Sequence, residues 1–258
     1  MLTVRDLASC EREILARPSV RVILVAGASC SGKTHLSREL ARDLADKGFP
    51  TLHLTLDDYY VGAERNPRDE NGEFDFETPD ALDAGRVTSD LAELLSGGPV
   101  RLHRYDFASH AIWDDAEATV LPRGARIVIE GIHAFNPVMT SSLPEDVKCR
   151  VFVEPSSEAE GIAPDGLRLM RRIVRDAKLR SIGPSETVRT WPKVLAGESR
   201  WLHPFRDRAD FTYDSSSKPE WNPLVRSALP LLEMASKDNP NDETIKALLS
   251  ACHDRNGK

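Results

Sequence analysis

The octet GASCSGKT, residues 27–34, follows directly after the apolar run VRVILVA at 20–26. It fits the pattern G-x-x-x-x-G-K-[ST], whose required context is a buried strand before it and a helix after it. Glycines in such a loop let the backbone wrap closely around a phosphate, because no Cβ stands in the way. Successive N–H groups and the helix N-terminus add fixed partial positive charge. The octet therefore predicts a nucleotide-binding loop formed by Gly27, Ala28, Ser29, Cys30, Ser31, Gly32, Lys33 and Thr34.

The last two residues of the octet carry side-chain chemistry. Lys33 is expected to reach the β- and γ-phosphates of the nucleotide, and the Thr34 hydroxyl is expected to bind Mg²⁺. ATP and Mg²⁺ are the expected cofactors.

Strands and helices alternate along the chain. This order, together with the octet, predicts a mostly parallel five-stranded sheet covered on both faces, a three-layer αβα fold of the P-loop NTPase type. The predicted strands are 20–26, 51–56, 125–131, 148–154 and 209–214. The predicted domain organisation is an N-terminal helical extension at 1–19, a P-loop domain at 20–216, and C-terminal helices at 217–258 packed on the same domain.

Polar clusters follow the predicted strands where each strand ends. They are GASCSGKT, then DDYY, then EGIH, then the basic helix after the strand at 148–154. Ligands of parallel sheets bind at the carboxyl ends of the strands. The clusters therefore indicate one site.

Two of these clusters supply carboxylates. A phosphotransferase that acts on a hydroxyl needs a base to orient or deprotonate it, and Asp57 or Asp58 could serve. Glu130 ends a uniformly apolar strand, where an acid commonly holds Mg²⁺ directly or through water. The predicted metal ligands are Thr34, Glu130 and Asp57, whereas His133 is expected to be structural.

The helix LRLMRRIVRDAKLR at 167–180 is strongly basic. Arg172 and Arg175 share a face and, with Arg180, could clamp phosphates and stabilise charge during transfer. The alternatives are a solvated basic face or ion pairs with Asp176. RNA binding by this helix fits poorly with the formal net charge of −7, because general nucleic-acid binders depend on excess Lys and Arg.

Composition sets further expectations. The four cysteines have no C-x-x-C spacing, which argues against a zinc site or a disulfide framework and favours a reducing, cytoplasmic setting. The N-terminal stretch does not look like a signal peptide, and no apolar run approaches the ~20 residues of a membrane span. The expected partner is a small-molecule substrate, with neither nucleic acid nor membrane.

The order of motifs GASCSGKT, LDDYY, FDFETPDALD, RYDFASH, IEGIHAF and RRIVRDAKLR resembles the uridine–cytidine kinase and phosphoribulokinase family of P-loop kinases. The resemblance runs from about 20 to 216 and implies that this segment is a P-loop kinase domain with a helical lid insertion at about 161–205. It implies an ATP-dependent kinase that phosphorylates the ribose 5′-hydroxyl of uridine or cytidine in pyrimidine salvage, and a possible homo-oligomer.

The resemblance also implies roles for individual residues. Asp57 matches the catalytic base and Glu130 the acid associated with Mg²⁺. Residues expected to contact the acceptor are Tyr60 and Asp75 near the sugar, with Asp80 a weaker match than Asp75, and Tyr105, Phe107 and His110 around the pyrimidine. Lid arginines expected around the triphosphate are Arg172, Arg175 and Arg180, of which Arg172 would also contact the substrate.

The chain departs from the family pattern at Ile112 and Ile182, where arginines are usual. Two other functions therefore stay open. One is the same chemistry on another small alcohol, a sugar phosphate or polyol. The other is a non-catalytic, nucleotide-binding regulatory protein.

Overall fold

The computed structural model describes residues 1–107, 109–155, 162–216 and 221–256. Its contacts divide the chain into two compact units. Unit 1 comprises Met1–Ala28, Gly32–Val153 and Gly197–Tyr213, and unit 2 comprises Ser29–Ser31, Glu154–Ala196 and Asp214–Lys258.

The strands are β1 (Thr3–Val4), β2 (Val22–Gly27), β3 (Thr51–Thr55), β4 (His103–Tyr105), β5 (Ile112–Asp114), β6 (Arg126–Glu130), β7 (Lys148–Glu154) and β8 (Phe211–Asp214). The helices are α1 (Leu7–Leu15), α2 (Lys33–Asp46), α3 (Ala84–Ser96), α4 (Pro137–Thr140), α5 (Pro164–Leu179), α6 (Pro184–Trp201), α7 (Trp221–Asp238) and α8 (Glu243–Asn256). Among the described residues, none of these helices has the length and apolarity needed to cross a membrane.

Unit 1 is built on a six-stranded sheet with the order β1-β8-β7-β2-β6-β3. The central strand β2 runs parallel to β6 and β7, and β3 runs parallel to β6. A separate antiparallel hairpin is formed by β4 and β5. All six residues of β2 are buried, as expected for a strand of a parallel sheet covered on both faces.

Each face of the sheet has its own apolar core. On one face, Leu36 and Leu40 of α2 pack with Ile23 and Val25 of β2. On the other face, Leu91 of α3 belongs to a core with residues of β2, β3 and β6. Alternate side chains of β2 thus pack against helices on opposite faces of the sheet. The predicted three-layer α/β class is confirmed.

The sheet has one strand more than the five predicted. Thr3–Val4 pairs in parallel with β8, in a stretch where the sequence predicted the start of a helix. The helix itself begins later, at Leu7, because the Asp6 side chain accepts a hydrogen bond from the Ser9 N–H and caps it.

Unit 2 is helical where it is described. Its core holds apolar residues of α5, α6, α7 and α8, among them Met170, Trp191, Leu232 and Leu248. The basic helix starts at Pro164, three residues before its predicted start, because proline is well tolerated in the first turn of a helix.

Candidate functional site

The octet forms a tight loop between β2 and α2. Gly27 ends β2, and Gly32 lies in the left-handed region at φ +99°, directly before the first residue of α2, Lys33. Only glycine adopts that backbone readily. Cys30 is also left-handed, at φ +57°, although it carries a Cβ. Such backbone strain in a non-glycine residue is typical of functional loops.

A buried carboxylate faces the end of this loop. Glu130 ends β6 and is 2% exposed. Its Oε1 accepts hydrogen bonds from Thr34 Oγ1 at 2.9 Å and from Thr55 Oγ1 at 3.0 Å. Its Oε2 has no hydrogen-bond partner among the described residues. Burial raises the pKa of Glu130, while the charge of Lys33 and the two hydroxyls oppose that rise.

The donors around Glu130 suit Mg²⁺. A hydroxyl and a carboxylate with one oxygen left open are oxygen donors, which hard cations prefer, and Mg²⁺ keeps several waters and binds substrate phosphates besides one or two carboxylates. Asp57 lies close enough for its charge to raise the pKa of Glu130. Within the described parts of the chain there is no cluster of three or more His, Cys, Asp or Glu that could hold a metal by itself.

The two adjacent aspartates lie in different environments. Both belong to a 3₁₀ helix at Leu56–Tyr59, and Thr55 Oγ1 accepts the Asp57 N–H at 3.2 Å. The Asp58 carboxylate accepts Arg104 Nη1 at 2.7 Å, and Arg104 also binds both carboxylate oxygens of Asp115. Burial raises the pKa of Asp58 despite this arginine. Asp58 is thus tied to the β4–β5 hairpin through Arg104.

An aromatic cluster lies in the same unit and consists of Tyr60, Phe74, Phe76, Tyr105, Phe107 and His110. Ring centroids of neighbouring members are 5.0–6.2 Å apart. The Tyr105 hydroxyl and His110 Nδ1 are 2.7 Å apart, and the Tyr60 hydroxyl donates to the Phe76 carbonyl at 3.0 Å. The structure brings together all four aromatic or imidazole residues that the sequence proposed for acceptor binding.

Phe74 and Phe76 are members of the cluster that the sequence reasoning missed. The signal was their alternation around Asp75 in FDFETPD. Asp75 lies between them in the chain, and its carboxylate accepts the Glu77 N–H at 3.0 Å. Asp80 lies in a separate 3₁₀ turn, Pro79–Ala81.

In unit 2, three arginines of α5 contact the middle of the octet. Arg168 Nη1 donates to the Ser29 carbonyl at 3.1 Å, and Arg171 Nη1 donates to the Cys30 carbonyl at 3.4 Å. Arg172 Nη1 donates to Ser29 Oγ at 2.8 Å. A loop that turns its N–H groups toward a phosphate turns its carbonyls outward, and guanidinium groups satisfy these carbonyls. The sequence reasoning missed Arg168 and Arg171 in this role.

The predicted clamp arginines also surround one buried acid. Asp176 is 1% exposed and forms ion pairs with Arg175 at 2.8 Å, Arg172 at 3.4 Å and Arg180 at 3.8 Å. Pairing with Asp176 was the alternative interpretation of this helix. Arg172 forms both the ion pair with Asp176 and the hydrogen bond to Ser29 Oγ.

Most of the chain matches the model of a known protein family. The model of the phosphoribulokinase / uridine kinase family matches residues 22–218. A uridine kinase of Deinococcus deserti is 32% identical over 170 residues, covering 66% of this chain and 75% of that protein. A uridine kinase of Staphylococcus aureus is 29% identical over 191 residues, covering 73% and 84%.

Solved structures share the fold. A putative fructose transport system kinase from Silicibacter sp. superposes with a TM-score of 0.60 at 20% identity, covering 81% of this chain and 99% of that one. A possible uridine kinase from Bacillus stearothermophilus gives 0.54 at 19% identity, covering 81% and 97%. D-glycerate 3-kinase from Cryptococcus neoformans gives 0.54 at 12% identity, covering 82% and 96%.

Proposed function

Because the chain belongs to the phosphoribulokinase/uridine kinase family, we propose that it transfers the γ-phosphate of ATP to the 5′-hydroxyl of uridine or cytidine. Family membership and the curated relatives make it a small-molecule kinase. The nucleoside acceptor, the donor ATP and the metal Mg²⁺ are the proposed part.

One observation carries the phosphotransfer proposal. The hydroxyl that follows the loop lysine, Thr34, donates to the buried carboxylate of Glu130, whose second oxygen is open among the described residues. Thr34, Glu130 and Asp57 would hold Mg²⁺, which would supply positive charge against the negative charge that develops on the phosphate oxygens. Lys33 and the loop N–H groups would hold the phosphates.

Asp57 is the proposed base. The Asp58 carboxylate accepts a hydrogen bond from Arg104 Nη1 at 2.7 Å. This contact holds the carboxylate against the β4–β5 hairpin. Asp57 is the second residue of the same turn, and its charge acts on Glu130. In the proposed step the Asp57 carboxylate accepts the proton of the acceptor hydroxyl. The oxygen of that hydroxyl attacks the γ-phosphorus, and ADP leaves.

The aromatic cluster supports a nucleoside as acceptor. A pyrimidine is planar and gains from stacking on aromatic faces, and Tyr105 and His110 supply polar atoms that can bind its edge. The relatives at 29–32% identity are named uridine kinases. A polyol lacks a π-face and would use such a cluster poorly.

The arginines of α5, together with Arg180 directly after it, have two proposed tasks. Arg172, which reaches Ser29 of the loop, is proposed to bind nucleotide phosphates and to contact the transferred group. Arg175 and Arg180 are proposed to assist it, with Asp176 as the acid that orders all three. Guanidinium groups fit phosphate geometry with paired N–H donors.

The test is ADP release with ATP and Mg²⁺ against a panel of uridine, cytidine, purine nucleosides, ribulose 5-phosphate and polyols. Turnover with uridine or cytidine supports the proposal. Turnover confined to a non-nucleoside would keep the phosphotransfer and replace the acceptor, whereas ATP binding without any acceptor-dependent turnover would favour a regulatory protein. Asp57→Asn should lower turnover by about 10²-fold or more and leave the ATP affinity measured in EDTA intact, while Asp46→Asn, at the exposed end of α2, should change neither.

A further inference from the structure

Thr55, the last residue of β3, connects two groups of the candidate site. Its Oγ1 donates to Glu130 Oε1 at 3.0 Å and accepts the Asp57 backbone N–H at 3.2 Å. The site as proposed above uses Glu130 and Asp57 but assigns no task to Thr55. One hydroxyl therefore touches both the carboxylate that faces the loop and the turn that carries the proposed base.

The hydrogen-bonding capacity of each atom fixes the direction of these bonds. A hydroxyl has one proton to donate, and an ionised carboxylate oxygen can only accept. The Thr55 proton therefore goes to Glu130 Oε1, and one of its lone pairs takes the Asp57 N–H. Thr34 donates to the same Oε1 at 2.9 Å. With two donors on Oε1, the oxygen left open is Oε2, which has no partner among the described residues.

The sheet register fixes where this hydroxyl lies. Thr55 and Glu130 are direct neighbours on the parallel strands β3 and β6. The residues that follow them pack tightly, since a Cβ placed on Gly131 would lie 2.7 Å from Leu56 Cβ. Threonine is β-branched, so its χ1 angle is restricted. The geometry therefore leaves little freedom for the Thr55 hydroxyl.

We propose that Thr55 is a positioning residue, whose hydroxyl keeps Glu130 Oε2 directed at the Mg²⁺ of bound nucleotide and holds the turn that carries Asp57. This inference rests on the proposed function for the roles of Glu130 and Asp57. Groups that orient metal ligands through hydrogen bonds commonly affect metal affinity or activity by about 10–100-fold.

The test uses four variants of one strand. Thr55→Val removes the hydroxyl and keeps the shape, and Thr55→Ser restores the hydroxyl. Thr51→Val is the matched control, because Thr51 lies on the same strand and donates to the Phe49 carbonyl at 2.6 Å. Thr55→Ala repeats the deletion in case the valine variant does not fold, as judged by its thermal transition.

The first readout is nucleotide binding without acceptor. ATP affinity is measured by calorimetry with Mg²⁺ and with EDTA, and the ratio of the two is the metal-dependent gain. We expect Thr55→Val to reduce this gain by about tenfold with the EDTA affinity unchanged, Thr55→Ser to restore it, and Thr51→Val to match wild type. An unchanged gain in Thr55→Val, or an equal loss in Thr51→Val, would overturn the proposal.

The second readout separates this inference from the proposed function. With the acceptor identified by the panel, Thr55→Val should lower kcat about 10–100-fold and leave the acceptor KM near wild type. A wild-type protein that binds ATP more tightly with Mg²⁺ but phosphorylates no acceptor refutes the proposed function, and the calorimetric ratio still decides the metal part of the Thr55 inference. A wild-type protein with no metal-dependent gain refutes that part directly.

Discussion

Acid should destabilise this protein through one buried histidine, His133. This residue follows the strand that ends at Glu130 and is 1% exposed. Burial lowers its pKa from 6.5 to about 4, and a backbone contact with Glu77 opposes only part of that shift. The folded protein therefore keeps a neutral imidazole over a pH range in which the unfolded chain binds a proton.

The sign and the size of the effect follow from these two pKa values. Between pH 6.5 and about 4 the unfolded state binds more protons, so the free energy of unfolding falls as the pH falls. Above pH 6.5 the imidazole of His133 is neutral in both states and does not lower the free energy of unfolding. As the pH falls from 6.5 to about 4, protonation of the unfolded chain lowers that free energy increasingly. The pKa difference corresponds to about 3 kcal/mol at the acid end, and to roughly 2 kcal/mol near pH 5.

Urea unfolding of wild type and His133→Leu at pH 7, 6, 5 and 4 measures this contribution. The difference in unfolding free energy between the two proteins should change by about 3 kcal/mol across the series in favour of the variant at low pH. Carboxylates titrate in both proteins and cancel in the comparison. His35→Asn, whose side chain is 70% exposed, is the control and should follow wild type. A His133→Leu curve that stays parallel to the wild-type curve would refute the reasoning.

Three further predictions concern the site. Lys33→Ala should abolish acceptor-dependent ADP release, since the phosphates lose their charged contact; residual turnover above a few per cent would contradict this. His110→Ala should raise the KM of the acceptor, measured with saturating ATP, while the KM of ATP stays near wild type; an unchanged acceptor KM would count against a base-binding role. Arg168→Met should weaken ATP binding in calorimetry by roughly tenfold. The reason is that the Ser29 carbonyl loses a charge-assisted hydrogen bond worth about 1.5–3 kcal/mol. Wild-type affinity in this variant would show that the loop holds its shape without Arg168.

Local patterns carried the predictions that the structure bears out. The octet sets its own backbone, because Gly32 must adopt a positive φ between a strand and a helix. The apolar runs became β2, β3, β6, β7 and β8 within a few residues of the predicted bounds, since fully buried strands of a parallel sheet read as continuous apolar segments. Short-range chemistry of this kind is visible in a window of ten residues.

Contacts between distant segments could not be predicted in the same way. β1 has only two residues, Thr3 and Val4, so no alternation of apolar residues marks it as a strand. It forms by pairing with β8, a segment more than 200 residues away in the chain. Phe74 and Phe76 contact His110, and Phe76 contacts Phe107, only after a long loop folds back on the β4–β5 segment. In α5, helical spacing gives the faces of the arginines but does not say which face meets Ser29 and which meets Asp176.

Glu130 draws the structural observations on the site together. A buried carboxylate oxygen without a hydrogen bond is unfavourable by about 1–3 kcal/mol, and more for a charged group. Two threonine hydroxyls and the charge of Lys33 oppose the rise in its pKa. The hydroxyls donate to Oε1 and leave Oε2 open among the described residues. An apolar residue at the end of β6 would avoid this penalty. A cation bound at Oε2 would remove it as well. The metal-dependent part of ATP binding therefore measures directly whether Glu130 acts as a metal ligand.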